Sequence, residues 1–170
     1  CSSDLNFILT YAETEFLLAE AKTRGWNVGG TTAAQHYKNG VVAAIASLAQ
    51  FNAAAGADPA IAAAAAAAPA FVDANPLSGT VETALEQINT QYWVATGTLF
   101  NFIETWCNWR RSGYPELTPV VYPNGFSGGA IPRRIPYNVT EPSTNGASYA
   151  AAVAGLSGGD TFTSRVWWDK

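Results

Sequence analysis

The sequence contains no methionine, a single histidine and only two cysteines in its 170 residues. His36 has no His or Cys three or four positions away, so neither a metal site nor a nucleophile–histidine pair has a local signature. Cys1 and Cys107 permit one disulfide without demanding it, and neither sits at metal-ligand spacing. Charge is scarce too: Asp, Glu, Lys and Arg make up 13% of the chain and leave a net charge of −4. The cations form no patch beyond Arg110-Arg111 and Arg133-Arg134. Nucleic acid, whose phosphates need clustered Lys and Arg, is therefore not an expected partner. Long apolar runs are absent: the uncharged stretch 41–57 is Ala-rich and broken by Ser, Gln and Asn, which excludes a spanning helix there. No phosphate-loop or dinucleotide glycine pattern occurs, and no GxSxG elbow; Gly128-Gly129 and Gly158-Gly159 read as turns. No secretory signal opens the sequence, so the chain is expected to be processed or an excerpt of something larger.

Apolar and aromatic residues are what is plentiful, at 48% and 12%. A chain of this length fits one domain that buries roughly 70% of its unfolded surface. Thr10-Tyr11-Ala12-Glu13 has capping-box spacing and starts a helix that buries Ala12, Phe16, Ala19 and the Thr23 side. Lys22 and Arg24 suit its last turn, and Gly25 suits the position just past its end. A second box, Thr32-Ala33-Ala34-Gln35, starts a helix whose apolar face carries Tyr37, Val41, Ala44, Ile45, Leu48 and Phe51. Two helices joined by so short a loop form a hairpin, the unit of tetratricopeptide-like solenoids, although no second copy at that repeat period is visible. Asp58-Pro59 caps an Ala-rich helix that Pro69 is expected to stop, a surface element with little to specify its packing. Residues 80–113 read as two helices, about 80–95 and 98–111, broken at Gly97. Residues 114–147 hold most of the nine Pro and read as an extended, irregular segment. A short helix at 148–154 and a tail ending RVWWDK close the chain.

The stretch Trp106 to Pro115, WCNWRRSGYP, concentrates the candidates for function. Phe102, Trp106 and Trp109 fall on one helical face that continues from Leu99, a pattern that predicts core. Arg110 and Arg111 fall in the last turn before Gly113. There they cap carbonyls, stack on an indole, or pair with acids such as Glu104 or Glu116. The competing reading is a groove of indole faces and guanidinium forks for sugars or acidic ligands. Trp167-Trp168 invites the same question. On an extended tail neighbouring side chains point to opposite sides, so one ring pins the tail and the other is partly exposed. Paired carboxylates for glycoside hydrolysis would have to come from Glu13, Glu15, Glu20, Glu82, Glu86, Glu104, Glu116 or Glu141. Glu13 reads instead as a capping residue, Glu82 and Glu86 as first-turn acids, and Glu141 as an ion-pair partner.

Several of these elements occur in a telling order. They are Thr10-Tyr11-Ala12-Glu13, Ala19-Glu20-Ala21, Gln91-Tyr92-Trp93, the run from Trp109 to Pro115, the run from Ile131 to Tyr137, Glu141, Asn145 and the run from Val166 to Asp169. Together they resemble the C-terminal part of the SusD/RagB family, in particular its SusD-like, starch-binding outer-membrane branch. The resemblance implies an all-α fold of tetratricopeptide-like helix pairs with long irregular loops. Residues 1–170 would be the C-terminal portion of a SusD-like domain. Within it lie a helical scaffold at 9–111, a Pro/Gly-rich loop region at 114–147, and a short helix and tail at 148–170. It further implies a lipoprotein on the surface of the outer membrane, anchored through a segment absent here. Such a protein is not an enzyme and uses no cofactor or metal. It captures oligosaccharides, or sometimes peptides, for polysaccharide utilisation, handing them to a SusC-like TonB-dependent transporter. Its other partner is the rest of its own N-terminal chain. None of the matching elements is a ligand motif, so the resemblance assigns no ligand-binding residue. It also leaves open whether Cys1 pairs with Cys107 or carries a lipid. The alternative function is a helical-repeat module that binds other proteins and no small molecule.

Overall fold

The computed structural model describes residues 6–51, 53–121 and 123–169. Cys1, and with it both the pairing and the lipid-anchor readings, lies outside the described residues. Among those described, the structure is helical. The helices are α1 (Tyr11–Thr23), α2 (Ala33–Ser47), α3 (Ala53–Ala57), α4 (Pro59–Ala74), α5 (Val81–Thr98), α6 (Phe102–Ser112), α7 (Glu141–Thr144) and α8 (Gly146–Ala154). No strand forms among the described residues; Ser157 and Arg165 share an isolated antiparallel bridge. The chain divides into two compact units, 1–109 and 110–170, with the boundary inside α6.

In the first unit the capping signals act as the sequence predicts. The Thr10 Oγ1 accepts from the Glu13 amide at 3.1 Å, and the Thr32 Oγ1 accepts from the Gln35 amide at 3.2 Å. Asp58 caps α4 by accepting from the Ala60 amide at 2.8 Å. Each bond satisfies one of the amides that a helix start leaves without an internal partner. Gly25, at φ 82°, follows α1 in the left-handed conformation that a side chain disfavours. Helix α1 packs against α2 and α5, and α2 also packs against α4. Ala12, Phe16 and Ala19 of α1 meet Tyr37 and Val41 of α2, Val72 of α4 and Ile88, Tyr92 and Ala95 of α5 in one core. Small residues on α1 let its neighbours approach closely.

Three expectations fail here, each for a physical reason. Pro69 does not stop α4; it lies inside the helix, which runs on to Ala74. Ala68 and Val72, on either side of it, are buried, so packing offsets the missing amide of the proline. Ala68 and Val72 are the buried residues of α4, and most of the others are exposed, as expected of a surface element. Gly97 does not break the 80–113 region either: it stays inside α5, and the chain turns three residues later at Phe100, with φ 61°. Finally, the stripe from Leu99 does not continue into α6. Phe102 is 62% exposed and Ile103 is exposed as well, Trp106 is half-buried, and only Trp109, 7% exposed, is core.

The turn at Phe100 resets the helical register, and the buried face of α6 becomes Thr105, Asn108, Trp109 and Ser112. That face is held to α5 largely by polar bonds. Thr105 donates to the Thr96 Oγ1 at 2.8 Å, Asn108 donates to the Asn89 Oδ1 at 3.0 Å, and the Tyr92 hydroxyl donates to Glu104 at 2.8 Å. Buried polar groups paired in this way escape the desolvation cost of unmade bonds.

Glu13 is almost wholly buried. Burial raises its carboxyl above the ordinary value, against the opposing hydrogen bond from Thr10. A raised folded-state pKa means that the folded state prefers the protonated carboxyl. Ionisation therefore costs stability as pH climbs from the unfolded value through the folded one. Glutamine keeps the capping geometry and carries no charge. Glu13→Gln is expected to raise the unfolding free energy at neutral pH and to gain nothing below the unfolded-state pKa. Urea unfolding of both forms at pH 7 and in the acid range checks this.

Candidate functional site

Two clusters in the first unit carry polar chemistry or exposed apolar area. In one, Glu15 of α1 sits buried beside α2. The His36 Nδ1 lies 2.7 Å from the Glu15 Oε2, and Asn39 donates to the same oxygen at 3.2 Å. Burial opposes ionisation of Glu15, but hydrogen bonds from Tyr11, His36 and Asn39 outweigh it and hold the carboxyl below its ordinary value. The partners come from positions 21 and 24 residues downstream, so no local spacing reveals them. This arrangement ties α1 to α2. A shallow groove of about 370 Å³, lined in part by Phe7, Tyr11, Ala43 and Ser47, runs beside it. In the other cluster, Phe7, Phe51, Phe100 and Phe102 form an edge-to-face series with centroids 5.4, 6.0 and 5.9 Å apart. Phe100 and Phe102 are exposed, as are Ile8, Leu9 and Ile103 near them in sequence. The strip is contiguous and apolar.

The second unit gathers arginine, aspartate and aromatic rings. Arg110 lies over the Trp168 ring at 4.4 Å and donates to the Arg133 carbonyl at 2.6 Å. Stacking on an indole is one of the roles expected for this arginine; its bond to Arg133 reaches a loop carbonyl rather than the end of its own helix. Arg133 donates to the Asp169 Oδ1 at 2.7 Å, and Arg165 meets the same oxygen at 3.3 Å. Burial lowers the Arg133 pKa, and Asp169 opposes that shift. Arg134 pairs with Asp160 and lies 4.9 Å over the Tyr137 ring. The Tyr137 amide and the Tyr149 hydroxyl also donate to Asp160, at 3.1 and 3.2 Å. Burial would raise the Asp160 carboxyl, but Arg134 and the Tyr137 amide outweigh it and hold it low.

Glu141 does not join this network. It starts α7 and forms no ion pair among the described residues. The tandem tryptophans part, though in a turn closed by the Asp169 amide on the Val166 carbonyl rather than on an extended tail: Trp168 is half-buried under Arg110, and Trp167 is 95% exposed. Among the described residues, no group of three or more His, Cys, Asp or Glu is placed to hold a metal ion, and no helix is long and apolar enough to cross a membrane.

The family model described as SusD-like, "Susd and RagB outer membrane lipoprotein", matches residues 2–169. The chain belongs to the SusD-like family. Solved structures agree. This SusD-like chain is 42% identical to a chitin-binding protein over 94% of its own length and 33% of the other's, with a TM-score of 0.76. It is 32% identical to a Bacteroidetes SusD-like protein over 95% of itself and 30% of that chain, with a TM-score of 0.75. It is 29% identical to a SusD homolog of Bacteroides fragilis over 93% of itself and 34% of that chain, with a TM-score of 0.72. The SusD-like chain thus spans about a third of the length of the solved relatives it matches. No curated protein matches it. The all-α architecture expected from the sequence is the one these relatives share.

Proposed function

We propose that the protein is a non-catalytic, cell-surface glycan-binding lipoprotein of the outer membrane, and that these 170 residues are the C-terminal portion of its SusD-like domain. It captures oligosaccharides and passes them to a SusC-like TonB-dependent transporter. The single observation that carries this reading is the 42% identity, over nearly the whole chain, to a protein named for binding chitin.

The remaining length of such a protein supplies the natural cover for the strip of Phe7, Phe51, Phe100 and Phe102. A series of edge-to-face phenylalanine rings suits a protein surface better than a hydroxyl-rich sugar. Pull-down of the full-length protein on insoluble polysaccharides tests the reading. Saturable retention on one class of glycan, with no release of reducing ends, is the expected result. Release of reducing ends would make it a glycosidase, and retention on none would favour the protein-binding helical module.

A further inference from the structure

Trp167 is the most exposed large apolar side chain among the described residues, yet its backbone is pinned from both directions. Two residues before it, Arg165 bridges to Ser157. One residue after it, the Trp168 ring lies under Arg110. Two residues after it, the Asp169 amide donates to the Val166 carbonyl at 3.0 Å, closing a tight turn around the ring. The Asp169 side chain is 0% exposed and held by Arg133 and Arg165. Exposure on a mobile tail would carry no message. Exposure on a tail locked at its neighbours gives a large flat surface whose ordering cost is already met in the free protein.

We infer that Trp167, flanked by Arg165, is a stacking platform for a pyranose ring of a neutral oligosaccharide. The inference rests on the glycan-capture reading above. An indole face carries negative charge density, and the axial C–H bonds of a pyranose present partial positive charge to it. The Arg165 side chain is 49% exposed, reaching Asp169 through Nη1, and its guanidinium is a planar fork of donors suited to sugar hydroxyls. Thr161 and Thr163, close by in sequence, are exposed as well. An exposed ring with Arg165, Thr163 and Thr161 near it in sequence suits a ligand with one apolar face and many hydroxyls. The contiguous phenylalanine strip of the first unit does not.

The test is calorimetric titration of the full-length protein with N-acetylglucosamine hexamer, compared for wild type, Trp167→Phe and Trp167→Ala. Because the ring is exposed, both variants are expected to keep the wild-type melting temperature. Loss of the platform is expected to weaken binding about tenfold in Trp167→Ala and less in Trp167→Phe. Equal affinity in wild type and Trp167→Ala overturns the platform and leaves glycan capture standing. So does a Trp167→Ala that keeps its sugar affinity but no longer co-purifies with the transporter, since the ring then belongs to a protein interface. If wild type binds neither the hexamer nor any glycan of a panel, both readings fall. A fall in melting temperature for both variants also overturns the platform, because it would mean that the ring is packed.

Discussion

Phe16→Ala lowers the unfolding free energy by about 3–5 kcal/mol, the range for an aromatic ring removed from a core. Its ring is 1% exposed and lies between Tyr37 and Tyr92, each 6.4 Å away by centroid. Facing it on α2 is Gly40, where an added Cβ would come within 2.6 Å of the Phe16 Cε1. The two tyrosines leave the ring no cheap way to retreat, so Gly40→Ala alone destabilises. Overpacking costs about 1–3 kcal/mol, partly offset by the roughly 1 kcal/mol that Ala gains over Gly in a helix. With Phe16 already Ala, the clash is gone and only the helix gain remains. The sign of Gly40→Ala is therefore expected to reverse between the two backgrounds. A four-member urea-unfolding cycle measures this. Equal effects of Gly40→Ala in both would show that the ring does not fill that space.

Arg133→Ala costs about 3 kcal/mol, the scale for stripping one partner from a buried ion pair. It strips the Asp169 side chain, which is 0% exposed, of its shorter ion pair and leaves, among the described residues, the longer contact to Arg165. The Asp169 Oδ2 has no hydrogen-bond partner among the described residues, so the carboxylate has little other compensation. Asp169→Asn strands the Arg133 guanidinium instead, but that side chain is 17% exposed and can be partly hydrated, so this variant is expected to cost less. Because the pair pins the tail around Trp167, the loss should appear first as local opening. Amide exchange over 165–169 is expected to quicken in Arg133→Ala, and trypsin to cut after Arg165. Unchanged exchange there would show that the ion pair does not hold the tail. Trp168 under Arg110 would then be its main anchor.

Much of the helical frame was legible because caps are local. Thr10, Thr32 and Asp58 each act on an amide two or three residues away, and the spacing alone identifies them. The parting of Trp167 from Trp168 was expected on an extended tail, but it comes instead from the turn that the Asp169 amide closes on the Val166 carbonyl. Where the reading failed, non-local packing decided. Pro69 remains helical because Ala68 and Val72 are buried on α2 and the core beyond. The break between α5 and α6 fell at Phe100, a residue type that rarely takes positive φ, so periodicity extended through a turn it could not see. That placed Phe102 inside and left Thr105 and Asn108 unsuspected. The pair of Glu15 and His36 was hidden because its halves sit on different helices. The ion pairs of Asp160 and Asp169 join residues 26 and 36 positions apart, beyond any motif.

Trp109 lies in the core and Trp167 outside it, where the proposed sugar would stack. Oxidation of the full-length protein with N-bromosuccinimide, mapped by peptide mass spectrometry with and without saturating N-acetylglucosamine hexamer, tests both halves at once. Fast modification of Trp167 that the hexamer suppresses, with Trp109 unreactive throughout, is the predicted pattern. Modification of Trp167 at the same rate with and without sugar, or reaction of Trp109 ahead of it, would contradict the account.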